Sequence, residues 1–530
     1  MKGFSLLTLA FFVTSCSVVT LFPGRREDVS PYAFGLGQAR TGVERYEALL
    51  KAHKAAQELR VNVDYTGIDT IRLEIPRNPT RIPLTAYNDF NGCVFVINNT
   101  SKVTYLFEKV IEGTPVAVDK RLIDSGYFRS VEALKNGNSL LIIEDDNPWV
   151  ANRKGHSYGH KRKDILLIRN GRAVNTAAMP YNNEYSAPKC SFIRLDDEPL
   201  VIKNLTVERA PGCTYVTNIS LISGVNDVRV SNVKVHTPAN TLKDDRGFLI
   251  RSCTNVSLDN VRIEGTYSQV NHSGYGVYLD NIWNFKASRM YGKANWGIFG
   301  NNNINVASIE DSQINRFDIH CYGRDISFKN VSFFDLYNQF SSVYGTIRFD
   351  GCVFTDFVPV LNGGSYNAYV GHEIVFKDCV FNVTPKNNQV IRLGNLNDEV
   401  NERKELTEKC LPNVTIKNLR VNLTGGADTF YLFYGKQASK NAKAVGYLSS
   451  IDIDGLTIMS DDGMPVKSMS LSNVKLKTRK DVDCQIKDVV VIRKGALTKS
   501  AQSEKVLLKT NLPLKGGKVT MKNVKNLKLN

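Results

Sequence analysis

An apolar residue, a polar one, then Asn, Asp or Gly, then alternating apolar residues: this phrase recurs along the chain and constrains its fold more than any other feature. It reads Ile202-Lys203-Asn204-Leu205-Thr206-Val207, Val230-Ser231-Asn232-Val233-Lys234-Val235 and Leu258-Asp259-Asn260-Val261-Arg262-Ile263. It returns as Phe328-Lys329-Asn330-Val331-Ser332-Phe333, Phe349-Asp350-Gly351-Cys352-Val353-Phe354 and Phe376-Lys377-Asp378-Cys379-Val380-Phe381. Later copies centre on Asn418, Gly455, Asn473, Asp488 and Asn523. Alternation with period two marks a half-buried strand, and the residue at the fixed offset is one that tolerates the left-handed backbone region. Each phrase is therefore a strand, a one-residue corner and a second strand. Corners every 19 to 29 residues through the middle of the chain match one turn of a solenoid. The expected fold is all-β, a right-handed parallel β-helix, with its cleanest coils at 200–383 and late coils with long loops at 384–530.

The ends and the cysteines refine this. Met1-Lys2, the apolar run Leu6 to Val13 and Val13-Thr14-Ser15-Cys16 form an export signal over 1–15. Residues 16–35 read as a tether, and 36–530 as a single domain. Thr41-Gly42-Val43-Glu44 is a capping box that opens a helix over 41–59, with Val43, Tyr46, Leu50 and Ala55 at helical spacing. Such a helix suits the open apolar end of a solenoid. Cys352 and Cys379 hold the same place in successive phrases and should stack inside as small apolar residues. No metal-ligand spacing is visible, so no cofactor is identified, and calcium is left open.

The net charge of +16 favours an anionic partner. No aromatic RNA-binding motif or basic helix accompanies it, which points away from nucleic acid and toward an acidic polysaccharide. The chain is expected to work as a monomer.

The strands before the corners line up as Gly247 to Arg251, Gly276 to Asp280, Gly297 to Asn301 and Asp318 to Tyr322. Strict alternation puts Phe248, Val277, Ile298 and Ile319 inside. It puts Leu249, Tyr278, Phe299, His320 and Arg251, Asp280, Asn301, Tyr322 outside, as a groove floor for sugar rings. Asp318-Ile319-His320-Cys321-Tyr322-Gly323-Arg324 is the sharpest piece: Asp318, His320, Tyr322 and Arg324 should share one face, roughly 6–7 Å apart. A second cluster, Arg153-Lys154-Gly155-His156-Ser157-Tyr158-Gly159-His160-Lys161-Arg162-Lys163, lies in an expected basic loop at 144–164, which either folds over the groove or is a hairpin turn built on its two glycines. Arg246, His272 and His372 flank it, whereas His53 and His236 read as structural or solvated.

The Cys16 motif resembles the lipobox of bacterial lipoproteins, in which the equivalent cysteine is lipidated. Together with the cap helix and Asn-cornered coils, it makes the chain similar to outer-membrane-tethered members of the pectin-lyase-like β-helix superfamily. That resemblance implies localisation at the outer membrane, on its periplasmic or cell-surface face, and a carbohydrate-active role, but fold alone does not choose the reaction. The chain departs from polygalacturonases: it has no Gly-His-Gly block, and only Asp244-Asp245 matches their Asp-Asp block. The leading expectation is a lyase that cleaves a uronate polymer, preferably a sulfated glycosaminoglycan, by β-elimination. Arg324 would neutralise the carboxylate, His320 would act as base and Tyr322 as proton donor or as the base itself, assisted by His156, Tyr158 or His160. One alternative is a glycoside hydrolase using Asp244, Asp245, Asp280 or Asp318. The other is a noncatalytic glycan-binding or adhesive solenoid.

Overall fold

The computed structural model describes residues 27–529 except 77–79, 99–104, 151–159, 176–187, 211–217, 238–246, 266–274, 295–296, 336, 341–342, 357, 362–372, 394–412, 436–449, 461–467, 473–482, 494–505, 510–519 and 525–526. It is a right-handed parallel β-helix. One sheet system of 30 strands winds from Thr70–Leu73 to Leu527–Leu529, each strand pairing in parallel with one a coil away. A single inward column runs Leu200, Val228, Val256, Phe285, Ala307, Ile326, Ile347, Ile374, Val414, Ile451 and Cys484, all buried. Apolar residues at one parity thus build one continuous core. Phe328, Phe349 and Phe376 stack through it with centroids 5.0 and 4.8 Å apart, and Phe354 and Phe381 at 4.1 Å. Cys352 and Cys379 fill the same interior and are wholly buried.

The corners follow the phrase. Asn204, Asn232, Asn260, Asn330, Gly351, Asp378, Asn418, Gly455 and Asp488 all have positive φ, as do Arg289 and Asp311 between them. Their side chains form ladders: Asn232 Nδ2 donates to Asn204 Oδ1 at 3.1 Å, and Asn260 Nδ2 to Asn232 Oδ1 at 2.8 Å. Asn473 lies outside the described residues. Two further left-handed columns, Ser252–Asn281–Asn303–Tyr322 and Asn255–Asn284–Val306–Asp325, turn the chain on its other side.

The helix Gly42–Leu59 has the expected capping box, Glu44 N donating to Thr41 Oγ1 at 3.1 Å. Its buried residues are Tyr46, Ala48, Leu49, Ala52, His53 and Ala56, and Leu50, partly buried, packs against the same core. The described part of the segment expected as a tether, 27–35, packs on the domain. Val29 bridges to Val63 and Pro31–Phe34 is a 3-10 helix with Pro31 buried, because this segment covers the helix and the first coil.

Of the expected basic loop at 144–164, the described residues are strand. Asn138–Val150 and His160–Arg169 pair antiparallel within a five-stranded sheet that also holds Thr114–Val116, Arg172–Ala173 and Pro188–Arg194. The apolar run Leu140 to Ile143 facing Ile165 to Ile168 explains it, since both faces are covered. One face packs on Ile123, Phe128 and Leu134, and the other, through Leu140, Ile165 and Leu167, meets Leu195 and the solenoid's Trp283. This insertion, hereafter the arm, lies across the coils that hold the site.

Candidate functional site

Four coil segments build the site: Phe248–Gly265, Tyr275–Ser288, Gly297–Glu310 and Phe317–Lys329. Their register stacks Leu249, Tyr278, Gly300 and Asp318 in one column. Two residues on, a second column stacks Arg251, Asp280, Asn302 and Cys321.

Two glycines shape the floor. The Tyr275 ring lies against Gly300, where a β-carbon would stand only 2.3 Å from ring atom Cδ2. Gly297, at φ +149°, leaves room for Arg316, whose Cβ and Cδ would stand 2.7 Å from such an atom. Glycine in a strand commonly marks such a close approach. The Tyr275 hydroxyl then donates to Asp318 Oδ2 at 2.8 Å and lies 2.7 Å from His320 Nε2. Arg316 Nε is 2.6 Å from the same Asp318 oxygen, and its guanidinium lies 4.4 Å over the Tyr337 ring. Asp318, Arg316 and Tyr275 are buried, at 0%, 2% and 5% exposure, whereas the His320 side chain is 15% exposed.

Charge placement fixes the protons. Burial alone would push the Asp318 carboxyl up, but Arg316 and His320 outweigh it and hold it below the ordinary value. An ionised carboxylate only accepts, so Tyr275 gives its proton to Asp318, and the imidazole donates Nε2–H to the Tyr275 oxygen. In neutral His320 the lone pair is then on Nδ1. This assignment follows from the hydrogen-bond network.

The arm roofs the adjacent column. Tyr322 donates its hydroxyl to the Lys161 carbonyl at 2.5 Å, Lys163 pairs with Glu144 at 2.6 Å, and Arg251 reaches Glu112 at 3.3 Å. Burial pushes the Asp280 carboxyl up, Lys163 and Arg251 hold back part of that rise, and Glu144 adds to it. Tyr278 accepts from Asn302 Nδ2 beside it.

Several expectations are corrected. Asn301 pairs with Ile319, Asn302 with Cys321, and His320 bulges between them, so strict alternation fails there. Phe299 and Asn301 pair with the inward Val277 and Leu279, one position off the expected register, and so face the core at 0% exposure, Phe299 packing on Phe317 at 5.4 Å. Asn301 Nδ2 donates to the Asp318 carbonyl at 2.7 Å instead of meeting a glycan. Asp318 is walled in by Arg316 and Tyr275 and is no groove residue. Tyr322 occupies a corner at φ +67° and is 3% exposed, so it leaves the His320 face. Arg324, past that corner, aligns with Asn305 and lies 3.4 Å from Asp325. Tyr278 and His320 both meet the Tyr275 ring, at 6.3 and 5.4 Å between centroids, and Arg251 pairs with Asp280 in the adjoining column, over which Lys161 contributes its carbonyl. His160 and Arg162 are strand residues whose side chains lie outside the described ones. Cys16, Arg153, Lys154, His156, Tyr158, Asp244, Asp245, Arg246, His272 and His372 also lie outside the described residues. Tyr275, Arg316 and Glu144 were not anticipated as site residues, whereas Lys163 belongs to the basic cluster expected over the groove. Gly297 and Gly300, three residues apart in a regular strand, were the available signal for the first two.

No family profile matches the sequence, and no curated protein does. Among solved structures, the chain is similar to the tailspike gp61 of Pseudomonas phage phi297, with 12% identity, TM-score 0.48, and 86% of this chain and 84% of that one covered. It is also similar to the gp54 tailspike of Acinetobacter baumannii bacteriophage AP22, in complex with A. baumannii capsular saccharide. There identity is 9%, TM-score 0.46 and coverage 86% and 79%. The tailspike gp49 from Pseudomonas phage LKA1 gives 12%, 0.39, 88% and 83%.

Proposed function

We propose that this protein is an exported β-helix that cleaves an acidic, uronate-containing polysaccharide by β-elimination, with a sulfated glycosaminoglycan the preferred class. The observation that carries this reading is the chain Arg316–Asp318–Tyr275–His320. A buried ion pair and a tyrosine orient an imidazole that is the most exposed of the four side chains. In the elimination, the proton on C5 passes to Nδ1 of His320. The electrons of that bond form the C4–C5 double bond, and the bond from C4 to the bridging oxygen breaks. The imidazolium returns its proton to that oxygen, so one residue serves both transfers. Tyr275 and the Asp318 charge behind it stabilise the imidazolium. Arg251 and Lys163, beside Asp280, supply positive charge for the substrate carboxylate. Tyr322, whose hydroxyl holds the arm, drops out as proton donor.

Asp280 supports a second reading. A carboxyl whose hold on its proton is strengthened by burial is what a glycoside hydrolase uses as its general acid. The test is incubation with a panel of uronate polymers, reading the ultraviolet absorbance of unsaturated uronate alongside reducing ends. A lyase raises both signals, and His320→Ala removes them. A hydrolase raises reducing ends alone, and Asp280→Asn removes them. Binding without either signal means a noncatalytic glycan-binding solenoid and refutes the enzyme. Export and a lipid on Cys16 belong to the proposal: Cys16→Ser should abolish incorporation of labelled fatty acid.

A further inference from the structure

The column that Asp318 occupies continues along the solenoid. Ile319 pairs with Phe340, which sets Asp318 beside Gln339; Gln339 pairs with Val360, Val360 with Arg392, and Arg392 with Tyr434. Arg392 is therefore three coils from Asp318, about 14 Å at the strand spacing, and Tyr434 four coils, about 19 Å. Both lie on the same sheet as the proposed centre, a few sugar units away.

The side chains there are organised. Arg392 Nε donates to Gln389 Oε1 at 2.9 Å, and its guanidinium carbon lies 5.9 Å from the Tyr434 ring centroid. Tyr431 and Tyr434 meet edge to face at 5.9 Å. Gln389, Arg392, Tyr431 and Tyr434 are all half-buried, so each is reached by solvent. Around the proposed centre, Arg316, Arg251 and Lys163 each have an acidic neighbour, Asp318, Glu112 and Glu144 respectively. Arg392 has no carboxylate partner among the described residues. A guanidinium held by a neutral amide and an aromatic ring keeps its full charge and planar fork for an outside anion. Two tyrosine rings next to it offer apolar faces on which a sugar ring can lie.

We propose that Gln389, Arg392, Tyr431 and Tyr434 form a distal subsite that grips one acidic unit of a polysaccharide whose neighbouring units reach His320. This inference rests on the reading of the site as glycan-cleaving. Arg392 pairs with the carboxylate or sulfate, Gln389 fixes the plane of the guanidinium, and the tyrosines stack on the ring.

Binding is measured in the full-length His320→Ala protein, which does not turn over, using a long uronate polymer and its trisaccharide. Adding Arg392→Gln should weaken polymer binding by about ten- to a hundred-fold, the scale of a charged hydrogen bond, and flatten its salt dependence. The trisaccharide, too short to span both places, should bind unchanged. Tyr434→Ala should act the same way, and Arg392→Lys should restore part of the loss. Polymer binding unchanged in both Arg392→Gln and Tyr434→Ala overturns the subsite and leaves the cleavage reading standing. If the wild-type protein cleaves no uronate polymer and the His320→Ala parent binds none, the cleavage reading falls and takes the subsite with it. Arg392→Gln keeps the side-chain volume, so the test survives if Tyr434→Ala lowers the melting temperature.

Discussion

Replacing Gly300 by alanine adds a single methyl group at the floor of the site, and the geometry says where it goes. The new carbon would stand 2.3, 2.5 and 2.6 Å from three atoms of the Tyr275 ring. Ordinary contact begins near 3.4 Å, so the ring has to retreat by about 1 Å. The backbone on the other side cannot yield instead, because Gly300 pairs with Tyr278 and Asp318 on both flanks. Tyr275 is 5% exposed and has little space for retreat except away from Asp318 and His320. Its hydroxyl bonds, 2.8 and 2.7 Å long, would then pass beyond hydrogen-bonding range. His320 loses the oxygen that orients it, and a misplacement of about 1 Å in a catalytic constellation costs roughly 100-fold in rate. Losing one hydrogen bond to a buried carboxylate costs about 1–3 kcal/mol, which a solenoid of this length withstands. The assay is kcat on the best uronate polymer beside a thermal melt, with Tyr275→Phe for comparison. Both variants should lose rate to a similar extent while staying folded. Wild-type turnover in Gly300→Ala would show that the tyrosine does not position His320.

Three further outcomes follow from named contacts. Asp318→Asn leaves Arg316 charged and buried without its counter-ion, at a cost of about 3–5 kcal/mol in denaturant unfolding. Because the folded carboxyl lies below its ordinary value, its contribution is present above that value and lost as pH falls through the folded one. Wild type should therefore show an acid limb of instability that the variant lacks. His53 is fully buried between the Pro83 carbonyl and the Tyr65 hydroxyl, and burial lowers it to about 4. Between its ordinary value and that one, only the unfolded chain takes up the proton. Stability should fall by roughly 3 kcal/mol as pH drops across that window, and His53→Gln should flatten the dependence. Tyr322→Asn puts a residue suited to the left-handed region into the Asn281–Asn303 ladder, relieving about 1 kcal/mol of backbone strain. It also removes the hydroxyl that holds Lys161, so the arm should become more sensitive to limited proteolysis. An arm equally resistant in the variant would show that this contact does not hold it.

The solenoid was legible because its physics is periodic. An Asn with positive φ has to recur where the chain turns, and apolar residues have to recur where it faces inward. Asn204, Asn232 and Asn260 do the first, and Leu200, Val228 and Val256 the second. The capping box at Thr41 was equally local and equally readable. The arm was harder to read. The polar, charged run 153–163 dominates the sequence there, while the strands announce themselves only through the pairing of Leu140 to Ile143 with Ile165 to Ile168. Charge drew attention to that run, and burial resided in the strands.

The site was hardest to read where the repeat breaks. Alternation from Asp318 to Arg324 looks like a strand with four polar residues on one face, but His320 is an extra residue opposite none, and one insertion reverses the parity of all that follows. Tyr322 then falls on a corner that its counterparts Asn281 and Asn303 fill with a residue better suited to it. A left-handed tyrosine has an energetic cost that the fold itself does not require, since asparagine turns the same corner one and two coils earlier. What the tyrosine adds is reach: its hydroxyl extends to Lys161 and fixes the strand that carries Lys163 over Asp280. The bulge adds orientation, turning His320 toward Tyr275. The two departures from the repeat, two residues apart, thus place an imidazole on the floor and a cation in the roof of the same trough. A regular coil cannot do both, because alternation would put Tyr322 and His320 side by side and leave nothing to hold the arm.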